Sequence, residues 1–276
     1  MESVKRIDLN CDMGEVPEAI AGGTQEALMR SITSVNIACG GHAGDEQTMR
    51  TTIEQALRWK LAIGAHPGYP DRANFGRLEL KMPLNEIATS VFEQVRALAE
   101  VAARCGTCVT HVKPHGALYN QAIKNRELAA AIAEGVKKAV AADVAAALRR
   151  CSGALRRCRC LSEDVLLVGL AGSPMLDVFR EAGFAVAAEA FADRRYEPDG
   201  TLRSRKFEDA VIRDPDEAGR QALSIVERGV VIASDGSEVP VDAQTICIHG
   251  DTPGAPEIAA TVARTLREAG VTLGAF

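Results

Sequence analysis

The sequence holds five histidines, and each stands at or just beyond the end of a short apolar run. His42 follows Asn36-Ile37-Ala38-Cys39-Gly40-Gly41, and His66 follows Ile63-Gly64-Ala65. His111 and His115 bracket Val112-Lys113-Pro114, and His249 follows Ile246-Cys247-Ile248. Carboxylates accompany them: Asp8 and Asp12 near the amino terminus, and Asp251 shortly after His249. A carboxylate beside an imidazole orients the ring and brings its pKa near neutrality, as a general base requires. Two histidines and an aspartate, here Asp12, His42 and His66, equally make a divalent-metal ligand set. Spacing alone leaves both roles open. Lys113, at a strand end rather than on a helix surface, offers a fixed positive charge to an oxyanion or a phosphate. Glycines in the same segments (Gly40, Gly41, Gly68, Gly116, Gly250 and Gly254) let a ligand approach the backbone. Thr252-Pro253-Gly254 reads as the opening of the last helix, whose free N–H groups could hold an anion. Residues 191–196, with Asp199, Gly200 and residues 203–205, read as a charged segment able to cover such a site.

Residues of this kind act together only if the chain brings them together. Seven apolar runs, at 6–10, 34–38, 61–65, 108–112, 165–170, 185–188 and 245–248, recur along the chain, and helical patterns follow most of them. Near-continuous apolar character predicts parallel strands buried on both faces. Within 45–60, Met49, Ile53, Ala56 and Leu57 share one helical face. Pro83 suits a first helical position before the periodic stretch to Ala103. Asp214-Pro215-Asp216-Glu217 offers an N-cap, a proline at N1 and a capping-box acid at N3. Repeated strand–helix alternation indicates either a parallel β/α barrel or a doubly wound sheet. We favour a single barrel domain over residues 1–276, because a barrel gathers the strand ends into one ring, where active sites of this architecture lie.

Composition excludes several functions. The formal net charge is −5, from 32 basic and 37 acidic residues, and aromatics are 4 %. Neither phosphate neutralisation nor base stacking on nucleic acid is served by that balance. No apolar run reaches membrane-spanning length, and the first residues lack an apolar secretory core, so the expectation is a cytoplasmic protein. Neither common glycine-rich nucleotide cradle is present. The eight cysteines are scattered, and the Cys105–Cys108 CxxC reads as two structural thiols beside a helix-stopping Gly106. Residues 149–160, with five arginines and three cysteines, read as a mobile surface insertion before the fifth strand.

In order along the chain, 8–15 (DLNCDMGE), 36–45 (NIACGGHAGD), 64–69 (GAHPGY), 111–120 (HVKPHGALYN), 191–194 (FADR) and 247–253 (CIHGDTP) resemble the LamB/YcsF family. Its members are described as the A component of an ATP-hydrolysing 5-oxoprolinase. Gly41, where an aromatic is expected, and Asn74 and Leu78, flanking Phe75-Gly76-Arg77, depart from the family pattern. The resemblance implies a seven-stranded parallel β/α barrel like the glycoside hydrolase/deacetylase fold. It also implies ring opening of 5-oxoproline to L-glutamate, with ATP (and magnesium) as co-substrate and with subunits B and C as partners. On that reading Lys113 faces the anionic oxygen or phosphate, His115 or His66 is the general base, and Asp12 or Asp251 orients the imidazole. Substrate contacts are expected from Asp8, Asn10, Asn36, His42, Arg77, Glu189, Arg194 and His249. Two rival readings are a metal-dependent deacetylase-like hydrolase, with Asp12, His42 and His66 as ligands, and a non-catalytic subunit that presents the lactam to its partners.

Overall fold

In a computed structural model, which describes residues 5–150 and 160–276, the seven apolar runs become seven parallel strands. They are β1 (Arg6–Met13), β2 (Ser34–Ala38), β3 (Ala62–His66), β4 (Val109–Val112), β5 (Leu161–Leu170), β6 (Ala185–Phe191) and β9 (Thr245–Cys247). Each pairs with the next, and β9 pairs back onto β1 with Asp8 opposite Thr245, which closes the ring. An antiparallel hairpin, β7 (Val230–Ile232) with β8 (Glu238–Pro240), and a short β10 (Thr272–Leu273) beside β1 lie outside the ring. These three elements are too short to carry a periodicity and have no signature in the sequence.

Nine α-helices are described: α1 (Pro17–Ala21), α2 (Thr24–Met29), α3 (Glu46–Arg58), α4 (Leu84–Arg104), α5 (Gly116–Ala122), α6 (Arg126–Arg150), α7 (Pro174–Glu181), α8 (Pro215–Arg228) and α9 (Ala255–Glu268). The Asp45 carboxylate accepts from the Thr48 N–H at 2.8 Å while the Thr48 hydroxyl accepts from the Asp45 N–H, a reciprocal cap that starts α3. Asp214 accepts from the Glu217 N–H at 2.7 Å and starts α8, with Pro215 in its first turn. Pro83 is the N-cap residue of α4 rather than its first helical residue. Gly106, at φ 77°, ends α4 before β4. Residues 151–159, most of the Arg/Cys-rich stretch, lie outside the described residues.

The interior of the ring is polar. On β1, Leu9, Cys11 and Met13 are buried in the apolar core, whereas the alternate residues Asp8, Asn10 and Asp12 make hydrogen bonds to neighbouring strands. Three tiers result. The deepest has Asp8 accepting from the hydroxyls of Thr33, Ser34 and Thr245. Above it, Asn36 donates to Asn10 at 2.8 Å and His111 bonds Asn36 at 3.0 Å. Gly64 on β3 makes room for that ring: a Cβ there would lie 2.1 Å from His111 Nε2. The third tier opens to solvent at the C-terminal ends of the strands. No described helix is long and apolar enough to cross a membrane.

Candidate active site

A cavity of about 670 Å³ occupies that C-terminal mouth, and Asp12, Glu15, His66, Lys113, His115 and His249 border it. Each arrives from a strand end. Asp12 is near the end of β1 and Glu15 follows it. His66 ends β3, Lys113 and His115 follow β4, and His249 follows β9.

Hydrogen bonding fixes the rings. His66 Nδ1–H donates to the Lys113 carbonyl at 2.7 Å, and His115 Nε2–H donates to the Phe75 carbonyl at 2.9 Å. Their other nitrogens, His66 Nε2 and His115 Nδ1, therefore turn lone pairs toward each other at 3.0 Å. Carboxylates press on the same point: Asp12 Oδ2 is 3.2 Å from His66 Nε2, and Glu15 Oε1 is 3.2 Å from His115 Nδ1. His42 donates from Nε2 to Glu15 Oε1 at 3.0 Å and stacks on His115 at 3.6 Å between ring centroids. Its Nδ1 is buried without a hydrogen-bond partner among the described residues. The stack is tight: a Cβ on Gly76, whose φ is +62°, would lie 2.7 Å from His42 Cβ. Phe75 is also left-handed, at φ 56°, and that turn aims its carbonyl at His115.

The electrostatics follow from this packing. Burial works against the charged form of Asp12, but the His66 and Lys113 charges outweigh it and hold the carboxyl well below its usual range. Burial likewise opposes ionisation of Glu15, and the His115 and His42 imidazoles against it overcome that, leaving Glu15 a carboxylate. Burial disfavours charge on His66, yet the Asp12 carboxylate raises its pKa. Burial pushes His42 down to about 4, so that ring is neutral near pH 7. Lys113 is 3 % exposed and lies 3.0 Å from Asp12 Oδ1 and 2.8 Å from Glu189 Oε1. Burial opposes its charge, and the two carboxylates hold its pKa well above the ordinary lysine value. That positive charge is balanced by two carboxylates, and Lys113 still borders the cavity.

His249 is arranged differently. Its Nδ1–H points at both Asp193 oxygens, at 3.0 and 3.1 Å, and its backbone N–H donates to Asp193 Oδ2 at 2.9 Å. Phe191 stacks on the ring at 5.4 Å between centroids. Burial opposes the Asp193 charge, but the His249 ring outweighs it and lowers the carboxyl pKa. Nε2 of His249 has no protein partner among the described residues, and the ring borders the cavity. A fixed imidazole with an oriented tautomer and a free Nε2 is the geometry of a general base.

The structure brings together Asp12, His66, Lys113, His115 and His249 as the sequence suggested, and adds Glu15 and Asp193. Asp251 does not orient an imidazole: it is clasped by the guanidiniums of Arg77 and Arg205 at the mouth. Asp8, Asn10, Asn36 and Glu189 lie below the cavity rather than on its wall; Asn10 and Glu189 hold Lys113. His111 also stays inside the barrel, against Phe276. Arg194 and residues 201–206 do border the cavity, so the 191–205 segment forms part of its wall. Gly41 leaves space for Gln94, which brackets Gly68 through its N–H and carbonyl. For metal binding, Glu15, His42, His66 and His115 each turn a ligand atom to within 4.8 Å of the others. The ligand set expected from spacing, Asp12 with His42 and His66, lacked Glu15 and His115. Glu15 was missed because a glutamate just past a strand has no spacing signal. Asp193 was missed because its partner is 56 residues away in the chain.

A family model described as the LamB/YcsF family matches residues 7–151 and 139–276. The chain is similar to a protein of Chloroflexus aggregans named as the A component of 5-oxoprolinase, with 48 % identity over 97 % of each chain. A protein of the same name from Chloroflexus aurantiacus is 45 % identical over 98 % of each chain. Among solved structures, one of a lactam utilization protein from Thermus thermophilus superposes with a TM-score of 0.84 at 39 % identity. That match covers 98 % of this chain and 100 % of the other.

Proposed function

Because this chain belongs to the LamB/YcsF family, we propose that it acts as the A component of a 5-oxoprolinase, opening the lactam ring of 5-oxoproline to glutamate. The observation that carries this reading is the His249–Asp193 pair, which turns an unpartnered imidazole nitrogen to the cavity. The proposal includes ATP as co-substrate, partner subunits B and C, and a cytoplasmic site of action. An unactivated lactam resists water at neutral pH, and phosphorylation of its carbonyl oxygen makes the ring carbon electrophilic. His249 Nε2 then takes a proton from the attacking water while Asp193 stabilises the imidazolium. Water oxygen bonds to the ring carbon, the C–N bond breaks with its electron pair staying on nitrogen, which takes up a proton, and the ring-opened product is an acyl phosphate. A second water hydrolyses that acyl phosphate to the glutamate side-chain carboxylate and inorganic phosphate, ADP having left in the phosphorylation step. Protonated at Nε2, the form that Asp12 favours, His66 supplies the proton to nitrogen.

A second reading is favoured by the facing lone pairs of His66 and His115. The donor set of Glu15, His42, His66 and His115 fits a divalent cation, and two of its imidazoles have their other ring N–H committed to a carbonyl. Such an ion would supply Lewis acidity at the cavity floor.

The test is glutamate release and ATP hydrolysis with the two partner subunits, with and without this chain. Glutamate formation only when all three are present is expected. Full activity of the partners alone would overturn the assignment, and turnover by an Asp193→Asn, His249→Asn double variant at the wild-type rate would reduce the chain to a non-catalytic lactam carrier.

A further inference from the structure

Arg194 forms no ion pair with any of the described residues. It is 7 % exposed and borders the cavity. Nε donates to the Ala210 carbonyl at 3.2 Å, and Nη2 donates to the Arg203 carbonyl at 2.6 Å. The backbone beneath it is anchored in turn, since Gln221 Nε2 donates to the Arg194 carbonyl at 2.8 Å. These bonds hold the guanidinium in one orientation and leave Nη1 without an acceptor among the described residues. The neighbouring carboxylate, Asp193, is committed to His249. Five other cations of the cavity wall are paired: Lys113 with Asp12 and Glu189, Arg77 and Arg205 with Asp251, Lys124 with Asp199, and Arg203 with Glu197 and Asp209; Lys206, which forms no ion pair among the described residues, is exposed to solvent, whereas Arg194 is buried.

A buried, positioned and unpaired guanidinium is costly unless an anion completes it. Burial, and then the nearby charge of Arg205, push its pKa down to about 10, which still leaves it charged near pH 7. A guanidinium fork recognises planar carboxylates with directional hydrogen bonds.

We infer that Arg194 is the anchor for a carboxylate on the substrate, and that it makes the site selective for lactams bearing an acid group over neutral lactams. The inference rests on the proposed lactam chemistry only for the identity of the substrate. Arg194 immediately follows Asp193 in the chain. One short segment would therefore grip the carboxylate with one residue and orient the base at the ring carbonyl with the other. Loss of the anchor would then weaken binding and misplace the carbonyl relative to His249.

The experiment is calorimetric titration of the full chain with three probes: 5-oxoproline, the neutral lactam 2-pyrrolidinone, and glutarate, a carboxylate without a lactam. Wild type is expected to bind 5-oxoproline more tightly than 2-pyrrolidinone. Arg194→Met is expected to weaken 5-oxoproline by about ten- to a hundredfold, the loss of a charge-assisted hydrogen-bond pair. It should leave 2-pyrrolidinone unchanged, and added guanidinium ion should restore part of the loss, which a merely structural role would not permit. Arg194→Lys should fall between. If Arg194→Met does not fold, a crystal structure of wild type with 5-oxoproline decides: a carboxylate oxygen within hydrogen-bond distance of Nη1 supports the anchor, and any other placement overturns it. Undiminished 5-oxoproline binding by Arg194→Met refutes the anchor and leaves the lactam reading standing. Arg194-dependent binding of glutarate without binding of 5-oxoproline does the reverse. Failure of wild type to bind either carboxylate overturns the anchor.

Discussion

His66 Nε2 and His115 Nδ1 face each other at 3.0 Å, each ring having given its only neutral-state N–H to a backbone carbonyl. Two lone pairs at that distance, with Asp12 and Glu15 alongside, require a positive charge between them. If a divalent cation supplies it, zinc added to the purified chain binds one site and raises Tm. Glu15→Gln and His115→Ala then each lower the affinity by about tenfold or more. An unchanged Tm at saturating zinc assigns the charge to a shared proton.

Asp193→Asn is expected to lower kcat of the assembled complex by about a hundredfold or more while changing KM little, because the amide no longer holds the His249 tautomer. Steady-state kinetics on the three-subunit enzyme measure it. An equal fall in kcat for Asp251→Asn would instead place the orienting carboxylate at the Arg77 and Arg205 clasp.

Asp193 also sets an acid limit to stability. Its folded-state pKa lies below the unfolded value of about 3.9. A depressed carboxyl pKa contributes stability that is fully present above the unfolded pKa and is lost as pH falls through the folded one. Urea midpoints should therefore decline below about pH 4 in wild type, and Asp193→Asn should flatten that decline. A variant curve parallel to wild type would contradict the assignment.

Lys113→Met leaves Asp12 and Glu189 facing each other across the space the ammonium filled. Breaking a buried charge network in this way costs about 3–5 kcal/mol. Chemical denaturation should show a loss of that order, and adding Glu189→Gln to Lys113→Met should recover part of it, since one buried carboxylate is then removed. A single variant as stable as wild type would mean that water replaces the ammonium at no cost.

Gly76→Ala should lower stability by about 1–3 kcal/mol from backbone strain alone, because φ is +62° and the new methyl meets His42 Cβ at 2.7 Å. Because the added carbon displaces the His42–His115 stack, activity should fall further than the Tm loss explains. Thermal melts paired with turnover check both parts.

Much of this was legible in the chain itself. The seven strands could be placed because parallel barrel strands bury long apolar runs, and the histidines marked the strand ends because they punctuate those runs. Reading the strands as continuously apolar concealed the polar interior. On β1 the alternation of Asp8, Asn10 and Asp12 with Leu9, Cys11 and Met13 carries that information, although a short strand displays it weakly. The hairpin of β7 and β8 was not legible, since three-residue strands show no period.

The residue types and their order along the chain therefore determined the barrel, its family and the set of groups able to do acid–base chemistry. Tertiary structure alone decided how those groups divide the work. It placed Asp193 against His249 across 56 residues, neutralised Lys113 with Asp12 and Glu189, and left Arg194 without a counter-ion among the described residues. The physical reason is that charge compensation and tautomer choice depend on distances of about 3 Å between side chains, and closure of β9 onto β1 sets those distances among residues far apart in sequence.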